Sequence, residues 1–64
     1  MIKLTSPKDE EFYINEDLIE KAEERGDFTV LFLVNGHKYL CKESVNEIIK
    51  RIVRFKNMVR DQWT

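Results

Sequence analysis

Cysteine, histidine, proline and glycine are scarce in this chain, and each shortage removes a class of function. There is one cysteine (Cys41), one histidine (His37), one proline (Pro7) and two glycines (Gly26, Gly36). A lone cysteine rules out an internal disulfide, and with a lone histidine it rules out any all-Cys/His metal site. Two isolated glycines cannot form a glycine-rich phosphate loop, and no zinc or EF-hand spacing occurs. On a single strand His37 and Cys41 would stand about 13 Å apart at their α-carbons, too far for a catalytic dyad. His37 therefore reads as an exposed turn residue and Cys41 as a small buried hydrophobe. The acids Asp9-Glu10-Glu11 and Glu23-Glu24 have nothing beside them to bury them or shift their titration, so they read as solvated surface. The expectation is a non-enzymatic protein with no metal, no cofactor and no small-molecule substrate.

Long apolar runs are also lacking. The longest, Val30-Leu31-Phe32-Leu33-Val34, has the length of a strand, far short of the ~20 residues that span a bilayer. Met1 to Asp9 holds no apolar stretch of the signal-peptide kind. A free thiol fits a reducing compartment, and the expected location is the cytoplasm.

What the chain does have is 64 residues with 42% hydrophobic content, enough for a single domain (1–64) with one thin core. A domain of this size buries only about 60% of its unfolded surface, and its core supplies roughly 3–5 kcal/mol. With disulfides and Cys/His metal sites excluded, self-association is the remaining common source of added stability. The net charge is −1 but unevenly divided. Residues 1–32 carry four bases and nine acids, whereas residues 33–64 carry seven bases and three acids. Such a split either steers partners or is ordinary solvated surface.

Along the chain, Ile2 and Leu4 alternate with polar residues, a Ser6-Pro7-Lys8-Asp9 turn signal follows, and Phe12 and Ile14 resume the alternation, which reads as a hairpin. Residues 16–25 fit a helix by the spacing of Leu18, Ile19 and Ala22, and a strand by the alternation of Leu18, Glu20 and Ala22. Gly26-Asp27 breaks the chain before a strong strand signal at Phe28 to Val34. Asn35-Gly36 between apolar runs signals a second hairpin. A two-residue loop there pairs Val34 with His37, Phe32 with Tyr39 and Val30 with Cys41 on one face, and Leu33 with Lys38 and Leu31 with Leu40 on the other. Ser44-Val45-Asn46-Glu47 matches a capping box, which predicts a helix over 45–62 after a sheet over 1–43. Val45, Ile48, Ile49, Ile52, Phe55 and Val59 form its apolar stripe, with Lys50, Arg51, Arg54, Asn57 and Asp61 opposite.

One helix covers one face of a small sheet, yet the second hairpin is apolar on both. If the helix packs on Leu31, Leu33 and Leu40, then Phe28, Val30, Phe32, Val34, Tyr39 and Cys41 form an exposed patch that a second copy or another protein covers. A second helix over residues 16–25 is the competing way to cover it. The basic helix surface (Lys50, Arg51, Arg54, with Lys56, Arg60 and Trp63) admits contact with nucleic acid, anionic lipid or protein, or plain solvation. A pI near 5.8 is unlike a basic nucleic-acid-binding domain.

The residues as a set resemble the small flagellar FlbD proteins, the swarming motility SwrD type. The resemblance spans nearly the whole chain: Met1-Ile2-Lys3-Leu4-Thr5, Glu11-Phe12 with Asn15, Asp17-Leu18-Ile19-Glu20, Asn35-Gly36 with Lys38-Tyr39, Lys42-Glu43-Ser44-Val45, and an Ile-rich helix ending Phe55-Lys56. It implies a cytoplasmic accessory protein that supports flagellar motor function and swarming through protein contacts near the inner face of the membrane. It carries no active site. It also implies that the residues around Ile19–Glu23 are extended, which makes an α+β fold: about five antiparallel strands, then one C-terminal helix. Two departures stand out. Lys8-Asp9 replaces the family's common Asn-Gly turn, and Phe32 and Val34 stand where polar residues are usual. A shorter likeness to LytTR-type DNA-binding domains, in the strand–Asn-Gly–strand followed by Glu-Ser and a helix, leaves a nucleic-acid role as the runner-up.

Overall fold

Alternation, turn residues and one capped helix produce the elements in order. The computed structural model describes residues 1–63, with side chains as far as Met58. Strands β1 (Ile2–Thr5) and β2 (Glu11–Ile14) pair antiparallel, as do β3 (Ile19–Arg25), β4 (Phe28–Leu33) and β5 (Lys38–Cys41); helix α1 (Val45–Trp63) follows. The five expected strands are present, divided between a two-stranded and a three-stranded sheet. The Lys42 amide donates to the Thr5 carbonyl at 2.8 Å and ties β1 to the end of β5. Residues 16–25 are not a second helix: a short 3₁₀ turn (Glu16–Leu18) leads into β3. A register shift between Ile19 and Lys21 marks a bulge, so only Ile19 and Ala22 turn toward the core.

The first and last hairpins use the same loop. In each, the residue opening the loop accepts from the amide three positions on (Asp9 to Ser6, 2.9 Å; Gly36 to Leu33, 3.0 Å) and donates to the carbonyl four positions on (Glu10, 2.8 Å; His37, 2.9 Å). This is a type I turn closed by one left-handed residue, Asp9 at φ 65° and Gly36 at φ 90°. Asn35 is not among the described residues with positive φ, so the type I′ turn expected at Asn35-Gly36 does not form. Its Oδ1 accepts instead from the His37 amide at 3.0 Å.

The three-residue loop shifts the register of β5 by one and reverses its faces. Thr29 faces Cys41, Val30 faces Leu40, Leu31 faces Tyr39 and Phe32 faces Lys38. Cys41 is fully buried rather than part of an exposed patch. Tyr39 lies on the core side, where its ring stacks on Phe12 at 6.2 Å. Leu40, expected beneath the helix, points outward and is 46% exposed.

The core joins Ile2, Leu4 and Ile14 of the first hairpin with Leu31, Leu33 and Cys41 of the sheet and Ile48 of the helix, each large side chain contributing about 2 kcal/mol by leaving water. Ile19, Ala22, Phe12, Ile52 and Phe55 close its margin. The helical stripe is narrower than the spacing predicted: Ile49 is about half exposed, as is Val53, which was not part of the expected stripe. They lie about 100° and 140° around the helix from Ile48, beyond the arc that the small sheet reaches. The expected placements of Val59, Arg60, Asp61 and Trp63 fall outside the residues whose side chains are described.

At the helix start, Ser44 Oγ accepts from the Glu47 amide at 3.1 Å, as a cap should. Glu47 turns away to Arg51 (3.1 Å), and Glu24 of β3 supplies a carboxylate to the Val45 amide at 2.9 Å. Two acids thus sit at the positive end of the helix dipole. Glu43, just before the cap, fastens four elements. Its carbonyl accepts from Thr29 Oγ1 at 2.7 Å and Cys41 Sγ at 3.7 Å, and its carboxylate from the Thr5 amide at 2.9 Å and Arg51 at 3.0 Å. Arg51, expected on the solvent side, is therefore a structural residue that also reaches the Lys3 carbonyl at 2.7 Å.

Candidate protein interface

The faces of the three-stranded sheet differ because neighbouring side chains on each strand point opposite ways. Thr29, Leu31 and Leu33 enter the core. Phe28, Val30 and Phe32 point outward in line, with Leu40 beside Val30. None of these four belongs to the core cluster. Phe28 is 37% and Leu40 46% exposed, and Val34 at the sheet end is 60% exposed. Of the six residues expected to form an apolar patch, Phe28, Val30 and Phe32 share the outer side and Val34 is exposed on the turn just past β4, whereas Tyr39 and Cys41 lie on the core side. Leu40 was missed; only the choice between a two- and a three-residue loop would have found it.

Long charged side chains border this ridge, and they too escaped the sequence reading. The register sets Lys21 and Lys38 on either side of Phe32, with their ammonium groups 4.9 and 5.4 Å from the ring centroid. The ammonium groups meet its negative face. Glu23, beside Val30, is bridged by Lys21 at 2.8 Å and Arg25 at 2.6 Å. Hydrogen bonds from Lys21 and then Arg25 hold its carboxyl down at about 2. With a third of the Glu23 side chain exposed, solvent screens this network.

Elsewhere the charge split of the sequence closes within the chain. Lys42 pairs with Asp9, and Lys56 with Glu16 (3.1 Å) and Asp17 (2.9 Å), each joining the basic half to the acidic one. Glu16 has only 4% of its side chain exposed and also faces the α-ammonium of Met1 at 2.8 Å. That contact is an ion pair, and Oε1 has no directed hydrogen bond. Burial would raise the Glu16 carboxyl, but the Met1 ammonium, its own backbone and Lys56 outweigh it and bring it down to about 2.

Reactive groups are not brought together. His37 is exposed on the loop and Cys41 is buried, its thiol pushed up by burial and by the Glu43 carboxylate. Glu23 and Glu24 project from opposite faces of β3. Among the described residues no group of three His, Cys, Asp or Glu is placed to hold a metal ion. A groove of about 640 Å³ runs between β1 and α1, lined by Lys3, Thr5, Arg54 and Phe55 among others, with Lys3 paired to Glu11 at 3.1 Å. Of the predicted basic surface, Lys50 and Arg54 are exposed beside Ile49 and Val53, while Arg51 is held internally. No described helix is long and apolar enough to cross a membrane.

A family model described as "FlbD: Flagellar and Swarming motility proteins" matches residues 1–60. Neither the curated proteins nor the solved structures contain a match. Since the match runs through every strand and most of the helix, the chain belongs to the FlbD family of flagellar and swarming motility proteins.

Proposed function

We propose that this chain serves flagellar motility as a non-enzymatic accessory protein, docking a partner protein of the flagellar motor on the outer face of its three-stranded sheet. It acts in the cytoplasm at the flagellar base. The observation that carries this reading is the Phe28–Val30–Phe32 ridge with Leu40: four apolar side chains outside the core, on a face that no other element covers among the described residues. Apolar side chains aligned on an open face of a small domain mark a contact surface more often than isolated exposed residues do.

Two other occupants fit this face less well. A two-fold self-pairing would bring together two copies of one face, each with a surplus of positive charge, which costs association energy. A nucleic acid would need open aromatic faces for base stacking, whereas Phe32 is already flanked by two ammonium groups.

A strain lacking the chain tests the role. The reading expects impaired swimming and swarming, restored by the intact protein. Normal motility in the deletion strain, with the protein shown to be expressed in its parent, would overturn it.

A further inference from the structure

The charges around the ridge specify the chemistry of its partner, an inference that rests on the docking face proposed above. The register places Lys21, Phe32 and Lys38 in one row, Glu23, Val30 and Leu40 in the next, and Arg25 beside Phe28. Three cations thus frame the apolar line with one anion. That anion is already engaged by Lys21 and Arg25 of its own strand, so an arriving segment meets a surplus of positive charge on both flanks. Covering Lys21 and Lys38 with an uncharged apolar surface would strip the remaining water from two ammonium groups, of which only Lys21 has an acid partner, Glu23. Bases on the partner would be repelled, whereas carboxylates would replace the lost water and speed the encounter.

Length narrows the shape. From Phe28 to Phe32 the ridge runs about 13 Å at strand rise, which two helical turns match at about 11 Å. Apolar anchors at i, i+3 or i+4 and i+7 of a helix would then follow the line. We infer that the outer sheet face receives an acidic amphipathic helix of another protein, its apolar stripe on Phe28, Val30, Phe32 and Leu40 and its carboxylates against Lys21, Lys38 and Arg25.

The test uses the full chain in its own cells. A photo-crosslinking amino acid at Leu40 should capture a protein segment whose Asp and Glu outnumber its Lys and Arg, and the same probe at Ile49 should capture it at least tenfold less. Capture of a second copy, of nucleic acid or of a neutral or basic segment, or no adduct at all, would overturn the inference. In parallel, K21E/K38E should lower swarming to the level of the deletion strain and K21Q/K38Q should lower it severalfold, while K21R/K38R stays within twofold of the parent. Thermal melting of the purified variants confirms that each folds. Full swarming with the folded K21E/K38E protein would remove the acidic partner. If F32E still abolished motility, the docking face itself would stand; if F32E were also silent, that reading would fall with it.

Discussion

The guanidinium of Arg51 bonds the carboxylate of Glu43 at 3.0 Å while reaching the Lys3 carbonyl at 2.7 Å and Glu47 at 3.1 Å, so one side chain pins the helix to both the first strand and the segment before the helix. Glu43 has only 8% of its side chain exposed. Burial would raise its carboxyl, but the Thr5 hydrogen bonds and the Arg51 charge hold it below the usual range.

Cutting Glu43 to alanine strands the Thr5 amide and deprives Arg51 of a partner. The expected loss is about 2–4 kcal/mol, against a total of roughly 3–5 kcal/mol for a domain this small. Glu43→Gln retains an acceptor for Thr5 and should lose about half as much. Arg51→Lys should also destabilise, since one ammonium cannot serve acceptors in three directions. Exposed Arg54→Ala should change stability by less than about 0.5 kcal/mol. Urea midpoints of the four variants check the ranking, and equal midpoints for Glu43→Ala and Arg54→Ala would refute it.

Acid should unfold the protein partly through Glu16. Its carboxyl is depressed to about 2 in the fold against an ordinary 4.5. The stabilisation is therefore complete above about pH 4.5 and is lost as pH falls toward 2, where the unfolded chain binds the extra proton. Glu16→Gln should cost about 1–2 kcal/mol at neutral pH and flatten the acid limb of the stability curve. Glu23 is depressed to the same range, but its exposure lets about 0.5 M salt screen it. The acid sensitivity that survives salt is thus expected to belong to the two buried carboxylates, Glu16 and Glu43. Parallel pH–stability curves for the parent and Glu16→Gln in high salt would contradict this.

Asp9 occupies in the first hairpin the left-handed position that Gly36 holds in the last. A non-glycine residue there carries about 1 kcal/mol of strain, and the Asp9–Lys42 pair on the surface offsets at most part of it. Asp9→Gly should raise stability by about 0.5–1 kcal/mol once salt has screened that pair. Gly36→Val should lower it by more than about 1 kcal/mol, through backbone strain alone, because nothing lies within 4 Å of where its Cβ would stand. Calorimetry in high salt decides both; Gly36→Val melting with the parent would refute the loop assignment.

Much of this fold was legible in the sequence because its local signals agree. Ser44 announced the helix, alternation announced β1, β2 and β4, and the family resemblance implied that the residues around Ile19–Glu23 are extended, as β3 is. The face of β5 was not legible. Asn35-Gly36 suits a two-residue loop and a three-residue one, and Leu40 is as apolar as the Tyr39 and Cys41 it would displace, so hydrophobicity could not choose between registers one residue apart. β3 was obscured for a different reason: the bulge between Ile19 and Lys21 breaks its alternation, and long charged side chains fill most of it. The frame of Lys21, Lys38 and Arg25 around the ridge depends on pairing between strands and has no local signature at all. Arg51 likewise reads as surface until Lys3 and Glu43, distant in sequence, are brought to it.

The central claim is that the outer sheet face serves binding rather than folding, and one comparison tests it most directly. Leu40→Glu and Leu31→Ala would each be introduced into the chromosomal gene, with stability measured on the purified proteins and swarming on the strains. Leu31 is fully buried, so its truncation should remove about 2–5 kcal/mol and motility together. Leu40→Glu should shift stability by less than about 1 kcal/mol and still abolish swarming. A stable Leu40→Glu protein in a strain that swarms like its parent would contradict the account.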